Sequence, residues 1–280
     1  MPFRFANING RSALVDGNDR WFDLDHLTAG RVSSDPMIAL ADAAALHLAA
    51  AGLHNATADG EVASARLQAP VPRPRNCFAV GLNYRTHAAE SGMDLPVQPL
   101  VFTKFPSCIV GPDASVELRS ETADWEVELV VVIGKPGRDI AAADAWSHVV
   151  GVTIGQDISD RTLQFAAKPP HFDLGKSRDG YGPIGPLLVS VDSLSNPDDV
   201  ALTCDVNGEP KQSDRTSNLI FGVPSLIAYL SGVMTLAPGD IIFTGTPSGV
   251  GAASGTFLKP GDEIVSTIEG VGTLLTRCVA

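Results

Sequence analysis

Residues 125–134 read Trp125-Glu126-Val127-Glu128-Leu129-Val130-Val131-Val132-Ile133-Gly134, and their length and β-branched content predict a strand. Side chains alternate along a strand, so Trp125, Val127 and Leu129 point to one face while Glu126 and Glu128 point to the other. The two glutamates then lie roughly 6.5–7 Å apart at Cα and lead into a run apolar enough to be buried on both faces. Two carboxylates held this close in a dry place repel, so each needs a cation or a proton, and a hard divalent cation is the simplest partner. The alternative is a strand whose first half faces water.

Composition narrows the possible functions. The chain has 280 residues, enough for one large domain or a large and a small one. Its formal net charge of −12, with no cluster of Lys and Arg, argues against nucleic-acid binding. An anionic small substrate stays possible, because a metal ion can supply local positive charge. The 27 glycines and 20 prolines predict many turns and a β-rich body.

The cysteines and the hydropathy pattern bear on the cellular compartment. The four cysteines are widely spaced and form no CxxC pair, so we expect no zinc ribbon or redox motif and a reduced, cytoplasmic environment. The start of the chain, Met1-Pro2-Phe3-Arg4, has no apolar segment behind it, so we expect no signal peptide. No apolar run approaches the roughly 18 residues of a membrane span.

A proline-dense segment divides the chain. Residues 36–52 predict one Ala/Leu-rich helix, with Asp35 as its N-cap and Gly52 at its C-terminal end. The stiff segment 69–75 then predicts a domain boundary. We therefore expect a small N-terminal support domain over residues 1–72, without chemistry of its own, and a catalytic domain over residues 73–280.

Three further segments carry candidate site residues. His87 and Glu90 are three apart, which places them on one face of a helical turn, where a carboxylate orients an imidazole as a general base. An ordinary surface pair is the alternative. Asp157 ends the apolar strand 149–157, as a third metal oxygen or as a helix N-cap. Lys176, in a rigid Gly/Pro-rich loop, is the cation we place beside an anionic intermediate, although loop lysines are commonly only solvated.

Two loops are assigned by composition. The polar, proline-flanked stretch from Gly92 to Pro99 predicts a mobile segment that could act as a lid. Residues 240–251 predict a strand that runs into a glycine-rich loop, which lacks the GxGxxG and P-loop patterns of nucleotide sites. The backbone N–H groups of that loop and the Thr246 hydroxyl could hold a carboxylate.

Taken together, the motifs resemble the fumarylacetoacetate hydrolase family over about residues 73–280, in its acylpyruvase or 2-hydroxyhepta-2,4-diene-1,7-dioate isomerase-like branch. The matching residues, in order, are Gly81-Leu82-Asn83-Tyr84 with His87 and Glu90; Glu126 and Glu128; Gly155-Gln156-Asp157 with Arg161 and Gln164; Lys176; Gly182-Pro183-Ile184-Gly185-Pro186; Pro238-Gly239-Asp240; and Phe243-Thr244-Gly245-Thr246-Pro247-Ser248-Gly249-Val250-Gly251.

The resemblance implies an α+β, mostly β protein, a mixed β-sandwich roll that is usually a homodimer. It implies Mg²⁺ or Mn²⁺ held by Glu126, Glu128 and Asp157, and a catalytic dyad of His87 and Glu90 on a lid. The positions that it assigns to contacts with substrate or intermediate are Arg161, Gln164, Lys176 and Thr246, and we add Tyr84 and Arg85 to the substrate-binding set. Arg85 and Arg178 could bind a distal carboxylate. The sequence departs from the pattern at Pro169-Pro170-His171-Phe172 and at Arg178, where many relatives carry an aromatic residue.

The resulting hypothesis is a metal-dependent hydrolase that acts on a small anionic 2-oxo acid. A 2,4-dioxo acid of the acylpyruvate or fumarylpyruvate type would lose a pyruvate enolate, stabilised by the metal and Lys176, after His87 activates a water. Oxaloacetate decarboxylation and isomerisation of a 2-hydroxy-dienoate would use the same enolate and are the alternatives. A noncatalytic metal-binding scaffold is the alternative from a different class.

Overall fold

The polypeptide is built mainly from β-strands, joined by turns and short helices. The computed structural model describes all 280 residues. The strands are β1 (Arg4–Ile8), β2 (Arg11–Val15), β3 (Arg20–Asp23), β4 (Gly60–Glu61), β5 (Leu67–Gln68), β6 (Cys77–Gly81), β7 (Leu100–Thr103), β8 (Ile109–Val110), β9 (Ser115–Glu117), β10 (Ala123–Asp124), β11 (Val127–Ile133), β12 (Val149–Gln156), β13 (Ser159–Asp160), β14 (Gly182–Val189), β15 (Ala201–Val206), β16 (Glu209–Arg215), β17 (Ile241–Phe243), β18 (Glu263–Ile268) and β19 (Gly272–Val279).

The α-helices are short and lie at the edges of the strands. They are α1 (Leu24–Thr28), α2 (Pro36–Ala39), α3 (Ala43–Ala51), α4 (Arg85–Glu90), α5 (Arg161–Gln164), α6 (Phe172–Gly175), α7 (Val223–Val233) and α8 (Gly251–Ser254). None of them is long and apolar enough to cross a membrane.

Two sheets dominate the architecture. The larger has twelve strands, with the path β4-β3-β2-β1-β14-β12-β11-β17-β6-β7, to which β5 is added beside β1 and β8 beside β14. The pairing is mixed, because β11 runs antiparallel to both of its neighbours whereas β17 and β6 are parallel. The smaller sheet has the order β16-β15-β18-β19-β9. This mixed, mostly β architecture is the predicted fold class, and solved structures of the same fold confirm it below.

The strand predicted from residues 125–134 is the middle of the larger sheet, and its two faces enter different cores. Trp125, Val127 and Leu129 belong to a core of 36 buried residues, which also contains Leu202 and Ile264 of the smaller sheet. The two sheets therefore pack face to face, as in a sandwich. Val130 and Val132, on the other face, belong to a second core of 21 residues. The predicted alternation, with Glu126 and Glu128 opposite Trp125 and Val127, is confirmed.

The N-terminal segment extends the larger sheet. Strand β1 pairs antiparallel with β14 through Arg4–Val189 and Phe5–Leu188. The side chain of Phe5 shares the second core with Val130. Residues 1–72 are thus continuous in sheet and core with the rest of the chain, and none of them lines the cavity described below. The predicted functional division at residue 72 stays a prediction.

The helix predicted over residues 36–52 is broken into α2 and α3. Asp35 caps α2 as predicted, because its side chain accepts a hydrogen bond from the Met37 N–H. Asp42 interrupts the pattern, since its carboxylate accepts from the Ala45 N–H at 2.9 Å and starts a second helix. An aspartate inside an Ala/Leu-rich run acts here as a cap, because its short side chain competes for backbone donors.

Candidate metal centre and active site

Three carboxylates converge at the point where β11 begins and β12 ends. Glu126 precedes β11, Glu128 lies in it, and Asp157 follows β12, which pairs antiparallel with β11. Each offers an oxygen, and the three oxygens lie within 4.8 Å of one another. All three residues are buried, at 5%, 1% and 0% exposure. The arrangement predicted from the alternating strand and the strand-terminal aspartate is therefore present.

Asp157 does not cap a helix, which was the alternative role considered for it. The N-cap of α5 is Asp160, whose carboxylate accepts a hydrogen bond from the Leu163 N–H at 3.1 Å. The Asp157 side chain instead accepts from Lys176 and Lys104, at 2.7 Å in each case. Its oxygens therefore belong to the buried charge network.

Buried cations neutralise two members of the triad. Lys176 Nζ donates to Glu126 Oε2 at 2.6 Å and to Asp157 Oδ2 at 2.7 Å. The guanidinium of Arg161 lies 2.7 Å from Glu126 Oε1. Burial opposes the ionisation of Glu126, but these two cations outweigh it and lower its pKa to about 2.

Glu128 is the carboxylate without a cation. Its Oε2 accepts a hydrogen bond from the Gly245 N–H at 2.6 Å, and no lysine or arginine contacts it. Burial first, and then the charges of Asp157 and Glu126, raise the pKa of Glu128 well above its usual value. The charge network thus has four carboxylates, of Asp124, Glu126, Glu128 and Asp157, but three cations, of Lys104, Arg161 and Lys176.

This donor set fits a hard divalent ion. Magnesium and manganese prefer carboxylate oxygens, and the uncompensated charge of Glu128 is what such an ion would neutralise. Glu126, Glu128 and Asp157 would hold it, and water or substrate oxygens would complete its coordination.

The surrounding strands hold the triad in place through backbone and amide contacts. Gly155 lies opposite Glu128 in the β11–β12 pair, and a Cβ at this position would collide with the rings and methyl groups of Phe243 and Val130. The Gln156 side-chain oxygen accepts a hydrogen bond from the Glu126 N–H at 2.9 Å. The side-chain oxygen of Gln212, in the smaller sheet, accepts one from the Val127 N–H at 3.0 Å. The amide side chains therefore replace ladder bonds where β11 begins.

The glycine-rich loop after β17 binds carboxylates of the protein itself. The N–H groups of Gly245, Gly249 and Gly251 donate to Glu128, Glu90 and Asp124, respectively. One loop therefore fixes a metal ligand, the dyad carboxylate and the carboxylate that binds Arg161. The predicted carboxylate contacts are made by the backbone N–H groups, whereas the Thr246 hydroxyl, predicted to share in them, donates to the Val127 carbonyl.

His87 and Glu90 lie on the single turn of α4, as their spacing predicts. His87 Nδ1 is 3.4 Å from Glu90 Oε2, and both Glu90 oxygens accept the Gly249 N–H, at 3.0 and 3.2 Å. The His87 side chain is 12% exposed. With Nδ1 facing the carboxylate, Nε2 is the nitrogen left free to take a proton.

A cavity of about 420 Å³ brings these groups together. It is lined by the triad, by the dyad, and by the predicted residues Arg161, Gln164, Lys176 and Thr246. Gln164 Oε1 accepts from Arg161 at 3.0 Å, and the Thr246 hydroxyl donates to the Val127 carbonyl at 2.9 Å.

Three predicted substrate contacts lie outside this lining. Tyr84 is fully buried in the large core, beside a β-bridge with Leu219, and its side chain does not reach the cavity. Arg85 is exposed at the start of α4 and does not line the cavity. Arg178 pairs with the buried carboxylate of Asp160 at 2.7 Å.

Two residues of the charge network were not identified from the sequence. Lys104 is fully buried and donates to Asp157 Oδ1 at 2.7 Å, to the Tyr181 carbonyl at 3.0 Å and to the Lys176 carbonyl. Asp124 accepts from the Gly251 and Ala252 N–H groups and from Arg161. A lysine inside an otherwise apolar strand pattern, Phe102-Thr103-Lys104-Phe105, was the available signal.

A buried carboxylate triad that fits a divalent ion, set at the ends of two central strands of a mixed β-sandwich, defines the class of this protein. Residues 76–279 match the model of the fumarylacetoacetate (FAA) hydrolase C-terminal domain. The chain belongs to the fumarylacetoacetate hydrolase family, as its motifs indicate.

Relatives in the family carry several activities in their names. The human mitochondrial oxaloacetate tautomerase FAHD2A is 44% identical over 215 residues, which cover 75% of this chain and 68% of that protein. The crystal structure of a candidate HpcE protein from Mycobacterium smegmatis has a TM-score of 0.90 and 47% identity, and covers 99% of both chains.

Maleylpyruvate hydrolase from a Sphingobium species, solved with manganese(II) and pyruvate, has a TM-score of 0.82 and 29% identity, covering 99% of this chain and 98% of that one. These structures confirm the fold class, and the manganese in the last supports a divalent metal at the acidic triad. The homodimer and the cytoplasmic location stay predictions.

Proposed function

We propose that this protein is a divalent-metal-dependent enzyme that interconverts the keto and enol forms of a small 2-oxo acid. The observation that carries the proposal is the convergence, in one cavity, of the carboxylate triad, the Lys176 ammonium and the His87–Glu90 pair. The 44% identity to a protein named oxaloacetate tautomerase supports this reaction. The sequence hypothesis includes isomerisation of a 2-hydroxy-dienoate among its alternatives, but not tautomerisation of oxaloacetate.

The chain's own residues suit the proton transfer. His87 Nε2 would remove a proton from the carbon next to the 2-oxo group, and the Glu90 carboxylate would stabilise the imidazolium that forms. The electron pair of that C–H bond moves to form the C=C bond, and the former keto oxygen gains negative charge. Return of the proton from the His87 imidazolium, directly or through water, to that oxygen then completes the enol and regenerates the neutral imidazole. A divalent cation, when bound, supplies Lewis-acid polarisation of that oxygen.

Lys176 is placed to stabilise the same oxygen. Two of its three N–H groups donate to Glu126 and Asp157, so the third is available to an anion in the cavity. Each nitrogen of the Arg161 guanidinium donates within the protein, to Asp124, Gln164 or Glu126, so we assign it the role of holding Glu126 in place.

Hydrolysis of a 2,4-dioxo acid is the second candidate. A histidine oriented by a carboxylate beside the cavity is also what activation of a water requires, and a structural neighbour is a maleylpyruvate hydrolase. Both reactions pass through an enolate next to a 2-oxo acid group, so the same site supports either.

Product analysis with Mg²⁺ or Mn²⁺ separates the candidates. Enol-oxaloacetate absorbs in the ultraviolet, so accelerated decay of that band without release of pyruvate supports tautomerisation. Pyruvate with a second acid from acetylpyruvate or fumarylpyruvate would establish hydrolysis, and pyruvate with CO₂ from oxaloacetate would establish decarboxylation; either result without tautomerisation overturns the first proposal.

The His87→Ala variant tests the role of the base. We expect it to lower kcat by roughly 10²–10⁴-fold, the usual contribution of general-base catalysis. His54→Ala is the matched control, because His54 is exposed and does not line the cavity. Near-wild-type turnover by His87→Ala would remove His87 from the mechanism.

A further inference from the structure

The cavity is charged in one part and apolar in the rest. Its chargeable lining residues are those of the triad and the dyad together with Arg161 and Lys176. Most of the remaining lining is apolar and includes the three aromatic rings of Phe102, Phe165 and Phe172. A small 2-oxo acid whose polar end is held at the triad leaves this part of the cavity unfilled, since cavities of this size hold much larger ligands.

The three phenylalanines form a continuous wall that begins at the lysine of the site. Lys176 Nζ lies 5.3 Å from the centroid of the Phe102 ring. Phe102 packs edge-on against Phe172 at 5.5 Å between centroids, and Phe172 packs edge-on against Phe165 at 6.5 Å. Such edge-to-face contacts fix the orientation of the rings, so the wall is a built surface.

No cation lies over the Phe165 or Phe172 ring, and the one uncommitted N–H of Lys176 is at the Phe102 end of the wall, beside the triad. Lys176 and Arg161 are paired with Glu126 and other acids. Arg85 and Lys168 are exposed and do not line the cavity. A carboxylate at the far end of a substrate would therefore lose water contacts without gaining a charged partner, which is unfavourable.

We propose that the aromatic wall of Phe102, Phe165 and Phe172 binds an uncharged, apolar substituent of the 2-oxo acid, and that Phe165 and Phe172 determine this preference. The proposal rests on the proposed function, because it assumes that the 2-oxo acid group lies at the triad. The substrate class is then a 2-oxo acid with an alkyl or aryl tail long enough to reach the wall, and a carboxylate at the far end of such a tail is disfavoured. The second carboxylate of oxaloacetate is only one methylene from the 2-oxo carbon, so it stays at the charged end of the cavity.

Equilibrium binding of simple 2-oxo acids, which lack the bond that a 2,4-dioxo acid hydrolase cleaves, tests the proposal independently of catalysis. Three probes are titrated by calorimetry in the presence of Mn²⁺: pyruvate, 2-oxooctanoate and 2-oxooctanedioate, of which the last two differ only in a terminal methyl or carboxylate. We expect 2-oxooctanoate to bind roughly tenfold or more tightly than either of the others, because only its tail gains from leaving water. Equal or tighter binding of 2-oxooctanedioate would overturn the proposal.

A matched pair of variants locates the preference. Phe165 and Leu174 are 57% and 53% exposed, so Phe165→Lys and Leu174→Lys introduce the same charge at similarly accessible positions, of which only the first lines the cavity. Phe165→Lys is expected to shift the affinity ratio about tenfold towards the dicarboxylate, and Leu174→Lys to leave it unchanged. An equal shift in both variants would mean that general electrostatics, not the wall, sets the ratio, and would overturn the assignment.

Phe172→Ala provides a second measurement, in which 2-oxooctanoate loses affinity while pyruvate does not. Equal losses for both ligands would contradict a role for the wall in tail binding. Pyruvate serves as the reference for the proposed function itself. If pyruvate shows no metal-dependent binding, the proposed function fails; if pyruvate binds but tails make no difference, only the aromatic subsite fails.

Discussion

At the scale of single residues, the charge of Glu128 is the feature that most needs a ligand. Three cations, the buried Lys104 and Lys176 and the partly buried Arg161, compensate the carboxylates around it, whereas Glu128 has only the Gly245 N–H. An ionised group in this position raises the free energy of the metal-free protein, and a divalent ion removes that cost. Glu126 has the opposite role, because its carboxylate is what keeps two cations satisfied.

Substitution of the two glutamates should therefore change stability in opposite directions. Glu128→Gln should stabilise the metal-free protein by about 1–3 kcal/mol, since it removes a buried carboxyl that must either stay ionised without a cation or take up a proton that it does not bind in the unfolded chain. Glu126→Gln should destabilise it by about 3 kcal/mol or more, because the network loses a negative charge between two cations and one of those cations then faces an NH₂ donor in place of an acceptor oxygen. Thermal unfolding with and without Mn²⁺ measures both effects, and neither variant should show a metal-dependent rise in Tm. Destabilisation by Glu128→Gln in the absence of metal would contradict this account.

Some residues of the site could be predicted from the sequence and others could not. Glu126, Glu128 and Asp157 could be predicted as metal ligands, because strand alternation and strand ends place side chains without knowledge of the tertiary fold. The role of Lys104 could not be predicted, since its partners Asp157, Lys176 and Tyr181 follow β12, follow α6 and precede β14, more than fifty residues away, and the strand pattern says nothing about them. Tyr84 was assigned to the substrate by its motif, but the β-bridge at this position turns its side chain into the core.

At the scale of elements, the loop after β17 couples the dyad to the metal strand. The Gly249 N–H donates to Glu90 on α4, and the Gly249 carbonyl accepts from Trp125 Nε1 at 3.0 Å. One residue, Gly249, thus joins the short helix that carries His87 to the residue next to Glu126. Only glycine suits this position, because its φ is +98° and a Cβ would collide with the Lys211 carbonyl.

Gly249→Ala tests that coupling. Displacement of the loop should move Glu90 and lower kcat of the proposed reaction by roughly 10²-fold, the cost of misplacing a catalytic group by about 1 Å. The metal-dependent rise in Tm should remain, because Gly249 does not contact Glu126 or Asp157. Gly232→Ala is the control, since its added methyl meets open space in helix α7 and should leave kcat unchanged. Unchanged kcat in Gly249→Ala would mean that the dyad does not depend on this loop.

At the scale of the whole molecule, the N-terminal 72 residues complete the sheet on which the site is built. Sequence composition drew a boundary at the prolines of 69–75, but composition cannot show that β1 pairs with β14 across more than 180 residues. Phe5 packs in one core with Val130 and Val132, on the face of β11 that also carries Glu128. Strand β11 therefore packs against the N-terminal segment on the face that carries Glu128, and we expect the chain to unfold as one cooperative unit.

Phe5→Ala tests this cooperativity. A fully buried phenylalanine replaced by alanine costs about 3–5 kcal/mol, so the Tm should fall clearly. The chain has three tryptophans, of which Trp21 reports on β3 and Trp125 on the metal strand, and variants that keep only one of them read the two regions separately. Both probes should shift to the same lower midpoint, whereas Val97→Ala, at a position 98% exposed, should shift neither. A lower midpoint for Trp21 alone would show that residues 1–72 unfold independently, and the site would then owe its stability to residues 73–280.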